Sequence, residues 1–137
     1  MDADGLGELF WAVSRELRGH TRNALIPWDI TPAQTRALGV LLHGEPRRVT
    51  ELAERLRIAP RSATEVVDHL ERRGLVERRP DPADRRATLI TLTERGRAAG
   101  DDLHAARRAE AGRFFAALSD ADRDDLGRIL RKLVPAG

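Results

Sequence analysis

The chain of 137 residues contains no cysteine, which excludes disulfides, thiol redox switching and thiolate metal sites. Its one lysine is Lys132; every other basic side chain is arginine. GC-rich coding can produce that bias, yet arginine is also the residue that forks onto phosphates and base edges. No apolar run approaches the roughly 18 residues that a membrane span needs, and the N-terminus is acidic rather than signal-like. The expectation is a soluble, cytoplasmic protein. Hydrophobic residues make up 41% of the chain and charged residues 34%. A chain this lean often completes its core by pairing with a second copy.

The formal net charge of +2 conceals an uneven distribution. Residues 1–46 carry four arginines against six acids, and residues 98–137 carry seven groups of each sign. Residues 47–97 carry thirteen arginines against nine acids, so the excess positive charge sits in the middle third.

Leu6, Leu9, Phe10, Val13 and Leu17 recur at helical spacing, and "NALIPWD" breaks that helix. At "TPAQ" the start signals converge: Thr31 as N-cap, Pro32 at the first helical position and Gln34 placed to close a capping box. This predicts a second helix over 32–43, stopped by Gly44 and Pro46. A short helix is expected after Thr50, then a tight turn at "RIA". Pro60 opens a helix over 60–73 whose inner stripe is Ala63, Val66, Val67 and Leu70, with Gly74 as its stop. "LVER" and "ATLITLT" read as two short strands around the loop "RPDPADRR", a hairpin over 76–92. Thr93 caps a long helix to about Leu118, and Ser119 caps a last one carrying Leu126, Ile129, Leu130, Leu133 and Val134.

A short helix, a tight turn and a second helix with a polar outer face make a helix-turn-helix. A hairpin with arginines at base and tip directly after it makes a wing. A helix fits the major groove, where base pairs are distinguishable, while the hairpin reaches the minor groove, whose potential favours arginine. The alternative is that Arg78, Arg79, Arg85 and Arg86 solvate an exposed loop and pair with Asp81 and Asp84. The four histidines are far apart in sequence, with no H-E-x-x-H, phosphate loop or nucleophile elbow. Neither catalytic residues, metal nor cofactor is expected; His104 with Asp101 or Glu110 is an unforced zinc pattern.

Residues 49–96 resemble the DNA-binding core of the MarR group of bacterial transcription regulators, above all in "LERRGLVERRPDPADRRA" and "LITLTERG". "ITPAQTRALGVLL" resembles that family's second helix, so the likeness covers essentially the whole chain. It implies a mainly α fold with a small β-hairpin: a winged helix-turn-helix core over 31–97, flanked by dimerisation helices over 1–30 and 98–137 of one 1–137 domain. The family's wing motif Asp-x-Arg falls on Asp84 and Arg86. The resemblance implies that Arg86 enters the minor groove while Asp84 braces the wing through Arg78 or Arg79.

The recognition helix would present Arg61, Ser62, Thr64 and Glu65, with Asp68 and His69 one turn later. Arg61 could fork onto guanine; Ser62 and Thr64 would hold phosphates; Asp68 is assigned to structure. Arg79 and Arg85 complete the expected DNA contacts. The implied partners are an inverted-repeat duplex, a second copy and a small aromatic or anionic ligand, with Trp11, Arg15, His20, Trp28 and Arg36 as cleft residues. The implied function is a repressor relieved by that ligand. The rival is a winged helix serving only as a protein-interaction module. Thiol-oxidation sensing, known in the family, is excluded by the missing cysteine.

Overall fold

Local start and stop signals place most of the elements. In a computed structural model, which describes residues 1–135, the order is α1 (Ala3–Leu25), a 3-10 turn (Ile26–Trp28), α2 (Pro32–Leu42), α3 (Val49–Leu56), α4 (Pro60–Arg72), β1 (Val76–Asp81), β2 (Asp84–Leu92), α5 (Glu94–Phe115) and α6 (Asp120–Leu133). Thr31 and Gln34 form the reciprocal capping box: Gln34 N donates to Thr31 Oγ1 at 3.1 Å, and Thr31 N to Gln34 Oε1 at 3.2 Å. Ser119 Oγ accepts from Asp122 N at the start of α6. Thr50 is not a cap. Arg48 holds that position, its N–H donating to Glu51 Oε1 at 3.3 Å, and Thr50 lies inside the first turn of α3.

The chain divides into two compact units, one made of residues 25–106 and the other of residues 1–24 with 107 onward. The first is the winged unit. Its core joins Leu38 and Leu41 of α2, Leu52 and Leu56 of α3, Val67 and Leu70 of α4, and Val76, Ile90 and Leu92 of the hairpin. Leu25, Ile30 and Leu103 are buried in the same core, so this unit reaches beyond the expected 31–97 at both ends. Between α3 and α4 the chain turns at Arg57, which takes the left-handed conformation at φ 55°. Gly74, at φ 75°, ends the α4 segment; Leu75 N then bonds Leu70 O at 3.0 Å and the chain enters β1.

β1 and β2 pair antiparallel from Val76↔Leu92 to Pro80↔Thr88. The register then shifts, and Asp81 pairs with Asp84 across a two-residue turn. Arg47 adds a single bridge to the outer side of β2, with Arg47 N donating to Ile90 O at 3.1 Å and Ile90 N to Arg47 O at 2.7 Å. α5 enters the unit through Gly96, Gly100 and Leu103, all buried.

In the other unit, α1 exposes Leu6, Leu9, Phe10, Trp11 and Val13, and α6 exposes Ile129 and Leu133. His20 Nδ1 lies 3.3 Å from Glu110 Oε1, and its ring is 5.6 Å from that of Phe114. Among the described residues no helix is long and apolar enough to cross a membrane.

Candidate nucleic-acid interface

Helix α4 turns Ala63, Val67 and Leu70 into the core, which leaves Arg61, Ser62, Thr64 and Glu65 exposed on its first two turns and Asp68 and His69 half-buried. This follows from the 3.6-residue period. Pro60 supplies the first helical position without sacrificing a needed N–H. Thr64 Oγ1 donates to Pro60 O at 3.0 Å. In that arrangement its hydroxyl proton is spent inside the helix, so it is less suited to a phosphate than the sequence implied. Ser62 carries no such bond.

The wing arginines separate into two kinds. Arg78 turns back to the recognition helix: Nη2 donates to Asp68 Oδ1 at 2.6 Å and Nη1 to Glu71 Oε1. Those carboxylates, the hydrogen bond to Asp68 first, hold its guanidinium above its ordinary pKa. Arg79 is held by Glu77 two residues earlier on β1, with Nε donating to Oε1 at 2.9 Å. Arg85 and Arg86, by contrast, are exposed. Among the described residues neither they nor Arg61 forms an ion pair.

The expected bracing through Asp84 is corrected by this geometry. Asp84 Oδ1 accepts the backbone N–H of Arg86 at 3.0 Å, a local turn bond, and neither Arg78 nor Arg79 reaches it. The braced acid is Asp81, three residues earlier. It is buried, accepts Ala83 N on Oδ1 at 2.9 Å, and accepts Arg48 Nε and Nη2 on Oδ2 at 3.2 and 2.8 Å. The Ala83 N–H first, then Arg48, hold its carboxyl below the usual carboxylate range. Arg48 was invisible to sequence reasoning because it lies 33 residues from its partner and outside the wing motif.

The Arg78 cluster has a measurable consequence. Without Arg78, Asp68 and Glu71 would stand uncompensated on the helix that the resemblance assigns to the major groove, where phosphates lie on the order of 10 Å away. Each added repulsion is a few tenths of a kcal/mol in water and several phosphates contribute. Arg78→Ala is therefore expected to weaken DNA binding about 5-fold at low salt, and the further changes Asp68→Asn and Glu71→Gln to restore it. Failure of that restoration would make Arg78 a direct phosphate contact. Thermal stability should barely change, because exposed pairs contribute about 0–1 kcal/mol.

Of the five expected cleft residues, Trp28 lines a cleft of about 290 Å³ together with Ile30, Arg73, Leu75, Arg95 and Asp102. Arg73 closes one side of it, donating to Trp28 O at 2.8 Å and Asp29 O at 2.9 Å. Arg36 is engaged elsewhere, its Nη1 donating to Leu56 O at 3.2 Å at the end of α3. Trp11, Arg15 and His20 lie on α1 in the other unit. The His43 and His104 rings stand 5.6 Å apart, but among the described residues no group of three or more His, Cys, Asp or Glu could hold a metal ion.

A helix-turn-helix whose second helix exposes an arginine, a serine and a glutamate, followed by a hairpin with two unpaired arginines beside its tip, defines a winged-helix DNA-binding protein. The family model described as MarR family matches residues 28–87. The chain is 31% identical over 107 residues to the HTH-type transcriptional repressor MdtR of Bacillus subtilis, covering 78% of this chain and 69% of that one. It is 31% identical over 128 residues to the HTH-type transcriptional repressor Rv2887 of Mycobacterium tuberculosis, covering 93% and 92%. That protein has been solved in complex with salicylic acid (TM-score 0.77, 31% identity, 94% and 96% covered). A variant of MarR from E. coli in complex with operator DNA superposes with TM-score 0.77 at 28% identity, covering 96% of this chain and 94% of that one. The protein belongs to the MarR family of helix-turn-helix transcriptional regulators. It is a DNA-binding regulator of transcription.

Proposed function

We propose that the protein acts in the cytoplasm as a homodimeric, sequence-specific repressor, released from an inverted-repeat operator by a small ligand and performing no catalytic step. The observation that carries the DNA contact is the contrast within the wing. Arg78 and Arg79 are spent on acids of α4 and β1, whereas among the described residues Arg85 and Arg86 are left without an ion pair. On this reading α4 enters the major groove with Arg61, Ser62, Glu65 and His69 at base edges and phosphates, and Arg86 enters the adjacent minor groove with Arg85 beside it.

Dimer formation is supported by the apolar residues that α1 and α6 leave exposed. A two-fold dimer sets two recognition helices about one turn of DNA apart, so the operator is an inverted repeat. Salicylic acid bound to the similar mycobacterial repressor supports a small aromatic acid as ligand, with Trp28 as a contact. A ligand acts only through its differential affinity for the bound and free forms.

The test is fluorescence anisotropy of the purified protein on duplexes from upstream of its own gene and on scrambled DNA, at two or more salt concentrations. Arg86→Ala is expected to weaken binding across sequences and to flatten the salt dependence by about one unit, the signature of one lost charge contact. Failure of the wild-type protein to bind any DNA at low salt would overturn the reading in favour of a protein-interaction module.

A further inference from the structure

The two ends of the wing are held by different means. At its base the hairpin is buried and laddered: Val76, Ile90 and Leu92 lie in the core, and the two backbone bonds between Arg47 and Ile90 add a stub of third strand. Past Pro80 the support fails. Proline cannot donate to a ladder, the register shifts between Pro80 and Asp81, and Arg85, Arg86 and Ala87 have no partner residue on β1. A bulged tip of this kind has little intrinsic rigidity. Yet it carries the two arginines that the proposed function sends to DNA.

Among the described residues, the side chain that hydrogen-bonds that tip from outside the hairpin is Arg48. Arg48 is the N-cap of α3, with its N–H on Glu51 Oε1 and its C=O accepting Leu52 N at 3.0 Å, so its backbone is fixed at the end of a helix. Its guanidinium delivers Nε and Nη2 to Asp81 Oδ2, while Asp81 Oδ1 holds the Ala83 N–H of the turn itself. The backbone of Arg47 pins the base of the hairpin; the side chain of the next residue pins the tip. Nε and Nη2 of Arg48 are thus both directed at a buried acid, which leaves Nη1 as its one nitrogen without a hydrogen bond among the described residues.

We infer that Arg48 is a positioning residue for DNA binding. Through Asp81 it locks the wing tip to the helix-turn-helix, so that Arg86 and α4 approach the duplex as one rigid surface. The energetic advantage is preorganisation: ordering a long side chain and its loop on docking costs about 0.5–1.5 kcal/mol each, and the clamp meets that cost during folding. This inference rests on the reading that Arg86 contacts DNA.

A double-mutant cycle tests it. Arg48→Ala, Arg86→Ala and the double variant are titrated by anisotropy against the inverted-repeat duplex selected from randomised DNA by the wild-type protein, and amide hydrogen exchange is measured on the free proteins. Arg48→Ala is expected to lower affinity about 10-fold in the wild-type background and less than about 2-fold in the Arg86→Ala background, because the clamp acts through Arg86. Exchange at Ala83 and Arg86 should accelerate while α4 stays protected, which also shows that the variant is folded. Asp81→Asn should reproduce both effects.

Equal losses in the two backgrounds, with a further unit of salt slope removed, would make Arg48 a direct phosphate contact and overturn the inference. So would unchanged exchange at the tip. Faster tip exchange with an Arg86→Ala variant that binds as well as wild type would retain the clamp as a structural device. It would place the failure in the assignment of Arg86 to DNA, and the claim that Arg48 serves DNA binding would fall with it.

Discussion

Gly96→Ala is expected to destabilise the winged unit by about 3 kcal/mol or more, beyond the usual range for overpacking a core. The reason is backbone, not side chain. A Cβ on Gly96 would stand 1.8 Å from the carbonyl oxygen of Leu75 and 2.7 Å from its carbon, where no rotamer change can relieve the contact. Two elements cross at this point. Thr93 Oγ1 donates to Gly74 O and accepts Gly96 N, so the first turn of α5 is tied to the turn that launches β1. Making room for a methyl group requires moving α5 away from Leu75, which is buried together with Val76.

The apparent melting temperature should fall by roughly 10 °C or more, measured at one fixed protein concentration, since the proposed dimer would make it concentration-dependent. Gly39→Ala is the control. Among the described residues nothing beyond the helix's own backbone and chain neighbours lies within 4 Å of a Cβ at that position in α2, and the helix preference for alanine predicts no loss, or a gain of about 0.5–1 kcal/mol. Equal melting of the Gly96 variant and the wild type would show that α5 does not approach the Leu75 backbone this closely in solution.

Arg61→Ala is expected to erase the preference for one base pair in each half-site, at a cost of about 1–3 kcal/mol against the preferred sequence and little against its substitutes. Arg61 is the second residue of α4, exposed and without an ion pair among the described residues, with the buried Ala63 fixing the opposite face of that turn inward. A free guanidinium on the leading turn of a recognition helix can present two parallel donors to the O6 and N7 of guanine. Arg61→Lys keeps the charge but loses the planar fork, so it should keep the salt dependence while losing most of the selectivity. Binding to a panel of single-base operator variants reads this directly. An unchanged base preference in Arg61→Ala would remove Arg61 from the readers and leave Glu65 and His69.

How far the fold could be read beforehand depended on how local each determinant is. The box of Thr31 and Gln34, Pro60 as a first helical residue, Thr93 and Ser119 as caps, and the stripe of Ala63, Val66, Val67 and Leu70 all rest on steps of no more than four positions along the chain. Each was visible in the sequence. Thr50 misled because a threonine ahead of an apolar run looks like a cap, whereas Arg48 and Glu51 close that turn. Leu25 and Leu103 have ordinary helical spacing; only packing shows that both belong to the winged core.

The site divides along the same line. By itself the sequence determined the class of protein: a polar-faced helix after a tight turn, an arginine-rich hairpin next in the chain, and a middle third carrying the excess positive charge. Those follow from period, capping and composition, which act over a few residues. Only the tertiary structure decided what each arginine pairs with. Arg78 is bound to α4, Arg79 to Glu77, Arg48 to Asp81, and among the described residues Arg85 and Arg86 remain without an ion pair. Identical side chains a few residues apart differ because an ion pair is chosen by distance in space. The register shift after Pro80 and the reach of Arg48 from the start of α3 set those distances.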